Sequence, residues 1–174
     1  MNKKSKIELK KVTKLDLKLL IEWRNSKDIF PYNTQYFLLN SKIQIDWFNK
    51  MQNDNSKKMF MILYGKIKIG ICGLIDVDKK NKNAKIAIII GKKALHGKGI
   101  GTIVISHILK YGFNKLKLHS INSEVIEYNK NSIHLFEKSQ FKLDATYRDA
   151  IWRNNRWWNI KSMSIFKKDF NEFE

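Results

Sequence analysis

The sequence predicts an α+β (mixed α/β) fold built on one sheet. Two observations predict it: period-2 apolar segments cluster in the middle and near the end of the chain, and apolar residues spaced by three and four mark four amphipathic helices between them. A third is the composition. The 174 residues are 43% hydrophobic, with eight glycines and one proline. That supports a core and leaves no room for a Pro/Gly-rich linker, so one domain spanning 1–174 is expected.

The elements follow in order. Ile7-Glu8-Leu9-Lys10-Lys11-Val12 largely alternates and reads as a strand. Thr13 and Asp16 form a Thr-x-x-Asp start signal, with Leu15, Leu19, Leu20 and Trp23 expected on one helical face and a stop near Arg24-Asn25-Ser26, before Pro31. Ser41 and Gln44 read as a capping box for a second helix presenting Ile43, Trp47, Phe48 and Met51. Met59–Tyr64 and Lys66–Asp76 read as strands joined at Gly65, and Asp78 to Asn83 as a charged turn. The aliphatic run in Ala84–Ile90 predicts a strand buried on both faces. A third helix carries Val104, Ile108, Leu109 and Phe113, a strand runs Ser120–Ile126, and Asn131 is expected to cap a shorter helix. Two strands, Leu143–Trp152 and Trp157–Phe166, close the order. Arg153-Asn154-Asn155-Arg156 is the turn between them, because Asn tolerates positive φ.

Charge and cysteine count narrow the function. Net charge is +18, but the 34 Lys and Arg are spread evenly along the chain. Dedicated nucleic-acid binders cluster their charge, so nucleic acid is disfavoured as the main partner while anionic small ligands are favoured. Cys72 is the one cysteine and lies in an apolar stretch, so it reads as a buried structural thiol. No apolar h-region follows the basic N-terminus and no aliphatic run is long enough to span a bilayer. The expectation is a cytoplasmic protein without a membrane partner.

The segment from Ile88 to Thr102 runs from a buried strand through glycines into an amphipathic helix. Gly97, Gly99 and Gly101 at a helix start imply a tight backbone bend or a close approach by a ligand. A helix N-terminus offers unpaired N–H groups and a partial positive charge, which suits a diphosphate. The dinucleotide pattern Gly-x-Gly-x-x-Gly fails, since Thr102 or Val104 stands where the third glycine is required. The Walker pattern fails at Gly97-Lys98, where Lys92 replaces the first glycine.

His96-Gly97-Lys98-Gly99-Ile100-Gly101 resembles the coenzyme loop of the GNAT superfamily of N-acetyltransferases, Arg/Gln-x-x-Gly-x-Gly/Ala, with His in the first place. The stretch from Ser123 to Phe141 resembles the same family's Glu-Val-x-x-x-Asn…Tyr-x-x-x-Gly-Phe pattern, over a resemblance covering about residues 7–166. It implies a central twisted, mostly antiparallel sheet flanked by about four helices and splayed between Ala84–Ile90 and Ser120–Ile126. It also implies acetyl-CoA as co-substrate, no metal, a small-molecule amine as acceptor, and allows a homodimer. Ile88 and Ile90 would pair with the pantetheine arm, Asn129 would reach its amides, and His96, Gly97, Lys98, Gly99, Ile100, Gly101 and Thr102 would surround the pyrophosphate.

Two departures stand out. The family's tyrosine acid falls on Phe136, in the coenzyme site but without a proton to give, and its glycine before the final Phe is Gln140. A thiolate, with a reference pKa of about 8.5, can leave unassisted. The family base maps to Glu124 in some relatives; in others it lies where this chain has Lys85. His96 and Asp76 are weaker candidates. Direct attack of the amine needs no enzyme nucleophile.

Acceptor selection is implied for the first two helices, their loop and the tail hairpin. Those hold Arg24, Tyr32 and Trp47, with Trp23, Tyr36, Trp152, Trp157 and Trp158 nearby in sequence. Aromatics suit a sugar ring or nucleobase, and arginine a phosphate. Trp23 and Trp47 are expected to be core. The resemblance is to a subgroup acetylating nucleotide-linked 4-amino-sugars for surface glycans. Ribosomal-protein N-terminal acetylation is the alternative, and a non-catalytic acyl-CoA or nucleic-acid binding protein is the alternative of another class.

Overall fold

A computed structural model describes residues 7–172. Seven strands form one sheet in the order β1-β2-β3-β4-β5-β7-β6. They are β1 (Ile7–Lys11), β2 (Lys58–Tyr64), β3 (Ile67–Asp78), β4 (Asn83–Ile90), β5 (Ser120–Ile126), β6 (Lys142–Arg153) and β7 (Arg156–Phe166). Every neighbouring pair is antiparallel except β4 with β5. The helices are α1 (Leu17–Asn25), α2 (Ser41–Asn53), α3 (Ile100–Lys110) and α4 (Lys130–Lys138).

The period of two sorts side chains onto two cores. On β2, Met61 and Leu63 join Leu20, Trp23, Phe48 and Met51 beneath α1 and α2. Ile62 faces the other way, with Val104, Ile108 and Leu109 of α3. β4 serves both: Ile86 is buried in the α3 core with Ile88 and Ile90 packed against it, and Ile89 packs against the α1–α2 core. The expected burial on both faces is therefore realised at partial depth. Cys72 is buried in the α3 core, and burial pushes its thiol pKa well up, so it is not a nucleophile at neutral pH.

The helix starts differ from expectation. Thr13 and Asp16 do form the reciprocal box, with Thr13 N donating to Asp16 Oδ2 at 2.7 Å, but it closes a 3-10 turn over Lys14–Asp16. Leu15 is therefore turned out, 89% exposed, and Leu17 takes its place beside Leu20 and Trp23. Asn40, not Ser41, caps α2, accepting from Ile43 N at 2.9 Å, and Gln44 is buried instead of completing a box. Asn129, not Asn131, caps α4, accepting from Ser132 N at 3.2 Å. Asn side chains accept from N2 or N3 only out of an extended or turn backbone, which fixes the cap one residue before the helix. α3 continues as a π-helical turn over Tyr111–Lys115, carrying the expected Phe113 into the core.

The tail hairpin turns on Asn154 and Asn155, both at positive φ (52° and 57°), as the Asn pair predicts. Arg153 and Arg156 belong to the strands and not to the turn. No helix among the described residues is long and apolar enough to cross a membrane.

Candidate active site

The parallel pairing of β4 with β5 covers only Asn83–Lys85 against Ser120–Asn122. Beyond it β4 stays bound to β3 through Ile90, and β5 to β7 through Ile126. Past Lys85 and Asn122 the two strands no longer pair, which opens a gap at the predicted splay. Where they part, Asn122 Oδ1 and Ser123 Oγ are buried without a hydrogen-bond partner. Successive strand residues face opposite sides of the sheet, so the two atoms are not one site, but buried polar atoms are rarely orphaned and each can meet a ligand donor that enters where the strands part.

The loop past β4 ends at the same opening. Gly97 and Gly99 take positive φ (72° and 76°), and a Cβ built at either meets nothing within 4 Å. Their glycines are needed for backbone conformation, and the space beside them is open. Gly101 is different: a Cβ there would come 3.0 Å from Leu135 Cδ1, so it lets α3 close on α4. Gly99 caps α3, and its carbonyl accepts from Ile103 N at 3.3 Å. The amides of Ile100 to Thr102 precede that first bond and have no acceptor within the helix. With the helix dipole they have the chemistry to receive an anion.

His96 acts within this loop. Its Nε2 lies 2.7 Å from Ile90 O, and since a carbonyl only accepts, Nε2 carries the proton. The contact ties the glycine loop to the end of β4. Lys93, in the 3-10 turn before His96, pairs with Asp28 at 2.7 Å, and that ammonium holds the Asp28 carboxyl below the usual aspartate range. The glycine loop beyond β4 is thus joined to the chain between α1 and α2.

Glu124 leaves β5 on the rim and pairs with Lys85 of β4 at 3.2 Å; Lys85 also lies 3.8 Å from Asp76. All three side chains are more than a third exposed, so solvent and a substrate amine can reach them. Phe136 is buried, edge-on to Phe141 at 5.0 Å between ring centroids. Asn129 uses Oδ1 for its cap, which leaves Nδ2 to donate.

The aromatic residues separate into two groups. Trp23 is core, and Trp47, half-buried, packs against the same core. Tyr32 is exposed and lies 5.9 Å from Tyr128, which meets Trp158 edge-on at 4.7 Å. Trp152 and Trp157 stand exposed against each other at the hairpin end of the sheet. Arg24, at the end of α1, is half-buried and its Nε has no hydrogen-bond partner. Desolvation lowers its pKa, and among the described residues no carboxylate comes within ion-pair distance of it. Sequence reasoning missed Tyr128, Asn33 and Arg153. Tyr128 adjoins the recognised Asn129, but nothing local marks the other two.

A gap between parallel strands, opening onto a glycine-rich helix start, defines an acyl-coenzyme A transferase site. Residues 6–142 match the family described as "Acetyltransferase (GNAT) domain", and the chain belongs to the GNAT acetyltransferase family. It is similar to acetyltransferase PseH of Campylobacter jejuni (strain 81-176), 27% identical over 141 residues, covering 79% of this chain and 85% of that protein. It is equally similar to spermidine N(1)-acetyltransferase of Vibrio cholerae, 26% identical over 167 residues, covering 95% of this chain and 96% of that one. The crystal structure of the V. cholerae spermidine N-acetyltransferase in complex with CoA and spermine superposes with a TM-score of 0.87 at 26% identity, covering 95% of this chain and 98% of that one. A dodecameric structure of that enzyme gives 0.81 at 25% identity, covering 94% and 95%. The fold and the family make this chain an acetyl-CoA-dependent N-acetyltransferase.

Proposed function

We propose that the acceptor is a nucleotide-linked 4-amino-sugar, acetylated in the cytoplasm. The observation that carries this is the charge of the segment between α1 and α2. Residues 26–40 contain a single acid, Asp28, and Lys93 already neutralises it. At the root of that segment Arg24 is desolvated and lacks an anion. A buried guanidinium without a counter-charge is costly, and a diphosphate would satisfy it with two parallel hydrogen bonds. A polyamine would need carboxylates there and would meet a positive field from a chain of net charge +18. Basic ribosomal proteins would be repelled likewise. The exposed rings of Tyr32 and Trp152 suit a sugar or base face.

The backbone of Ile88 and Ile90 and the Asn129 side chain would hold the pantetheine arm, with Phe136 as part of its apolar wall. The amides of Gly97 to Thr102 would hold the diphosphate, with Lys98 adding charge and His96 fixing the loop. The acceptor amine loses a proton to Glu124 directly or through water. Its nitrogen then bonds to the thioester carbon, the carbon–sulfur bond breaks, and the nitrogen's second proton passes through water to the departing thiolate, leaving the amide and the free coenzyme thiol. No covalent enzyme intermediate is required.

The test is thiol release from acetyl-CoA with a UDP-linked 4-amino-sugar and, in parallel, with spermidine. Faster turnover of the sugar nucleotide is expected. Preference for spermidine would overturn the substrate, and no thiol release with any amine despite acetyl-CoA binding would overturn catalysis.

A further inference from the structure

We propose that Arg153 is a positioning residue that fixes Pro31–Thr34 as the wall of the acceptor pocket. This rests on reading the α1–α2 segment as that wall, and not on which amine is accepted. Arg153 ends β6 and is 4% exposed. Its Nη1 donates to Pro31 O at 3.1 Å and to Tyr128 Oη at 3.0 Å; its Nη2 donates to Asn33 O at 2.5 Å and Thr34 O at 2.9 Å. Its guanidinium carbon lies 4.3 Å from the centre of the Tyr36 ring. Tyr128, immediately before Asn129, closes the circle by donating its hydroxyl to Pro31 O at 2.5 Å.

The wall has little structure of its own. Its 3-10 turn covers only Phe30–Tyr32, and its ends are pinned elsewhere. Asn25 holds Leu39 by two bonds, Nδ2 to Leu39 O at 2.7 Å and Leu39 N to Oδ1 at 2.8 Å. Asn33 Nδ2 reaches back to Arg24 O at 3.1 Å. Of the remaining holds on the middle of the segment, the Tyr128 hydroxyl meets Pro31 alone, while the guanidinium spans Pro31, Asn33 and Thr34. Among the described residues no carboxylate pairs with it, so the charge is solvated by three backbone carbonyls and a phenol oxygen. Only arginine presents a planar fork of donors that can bridge these acceptors at once, whereas lysine offers a point charge from one atom. Because Arg153 ends β6 and Tyr128 lies two residues past the end of β5, the clamp makes the acceptor wall part of the half-sheet that borders the coenzyme gap.

The experiment compares the full-length wild type with Arg153→Lys, Arg153→Met and Tyr128→Phe. Amide hydrogen exchange is read first, since it needs no acceptor. Exchange across residues 29–38 should rise by about tenfold or more in both Arg153 variants and less in Tyr128→Phe, while β2, β3 and α3 keep their protection. With the UDP-linked 4-amino-sugar, the acceptor KM should rise by about tenfold, with kcat and the KM for acetyl-CoA within about twofold of wild type. Unchanged exchange over 29–38 in Arg153→Lys overturns the proposal. So does a lower kcat with a raised KM for both substrates, which marks a structural role only. If Arg153→Met loses protection throughout, Arg153→Lys and Tyr128→Phe decide. A wild type inactive on the sugar nucleotide refutes the substrate and leaves the exchange result to judge the clamp.

Discussion

Gly91 lies against the indole of Trp23 so closely that an added Cβ would sit 2.1 Å from its Cδ2. This contact seats the end of α1 on the end of β4, where the strand leaves the sheet for the glycine loop. Trp23 is thereby a spacer between the α1–α2 segment and the glycine loop.

Gly91→Ala follows from that contact. The ring is rigid and buried, so it must shift as a body, and overpacking of this kind costs about 1–3 kcal/mol. The expected outcome is a lower Tm with a changed tryptophan emission maximum. Thermal melts and fluorescence check it; a Tm equal to that of the wild type would contradict the contact.

Gly99→Glu tests the anion cradle. The open space beside Gly99 accepts the side chain, but its φ of 76° costs a non-glycine residue about 1–2 kcal/mol. The fold should survive, while a carboxylate placed beside the α3 amides should reduce acetyl-CoA binding beyond detection in isothermal titration. Binding that persists would remove the diphosphate from this loop.

Much of this site was legible in the chain. Gly97 and Gly99 stand at the two positions that need positive φ, and alternation in Met59–Tyr64 sorted its side chains between two faces. The splay was expected only through a resemblance, because it depends on how far β4 and β5 pair. Leu15 was misplaced because Thr13 and Asp16 close a 3-10 turn, which rotates the following helix onto Leu17. The caps at Asn40 and Asn129 were missed by one or two residues, because neighbouring Ser41 and Asn131 offer the same chemistry. Arg153 could not be read at all. Its carbonyl partner Asn33 lies 120 residues away, and carbonyls carry no sequence signature.

Asp16 supplies a pH dependence. It is 2% exposed, and burial alone would raise its pKa. Lys68 at 2.5 Å, Thr13 N and Thr13 Oγ1 outweigh burial and hold the pKa below its ordinary value. A lowered folded-state pKa gives stability that is complete above the unfolded value of about 3.9 and is lost as pH falls through the folded one. Asp16→Asn should cost about 1–2 kcal/mol at neutral pH, since Lys68 is partly solvated, and should weaken the acid dependence of stability below about pH 4. Urea melts of both proteins between neutral and acidic pH give the comparison; parallel curves would count against it.

Glu124→Gln bears on the chemistry itself. The pair with Lys85 holds the carboxylate at the rim where β4 and β5 separate, within reach of solvent. Glutamine keeps the shape and can still face the Lys85 ammonium with its carbonyl oxygen, so the strands should remain in place. It cannot take a proton from an ammonium substrate. With Glu124 as base, kcat should fall by about a hundredfold while acetyl-CoA affinity is unchanged. Part of the loss should be recovered at higher pH, where more of the acceptor amine is already unprotonated. An undiminished kcat at neutral pH would assign proton removal to water alone.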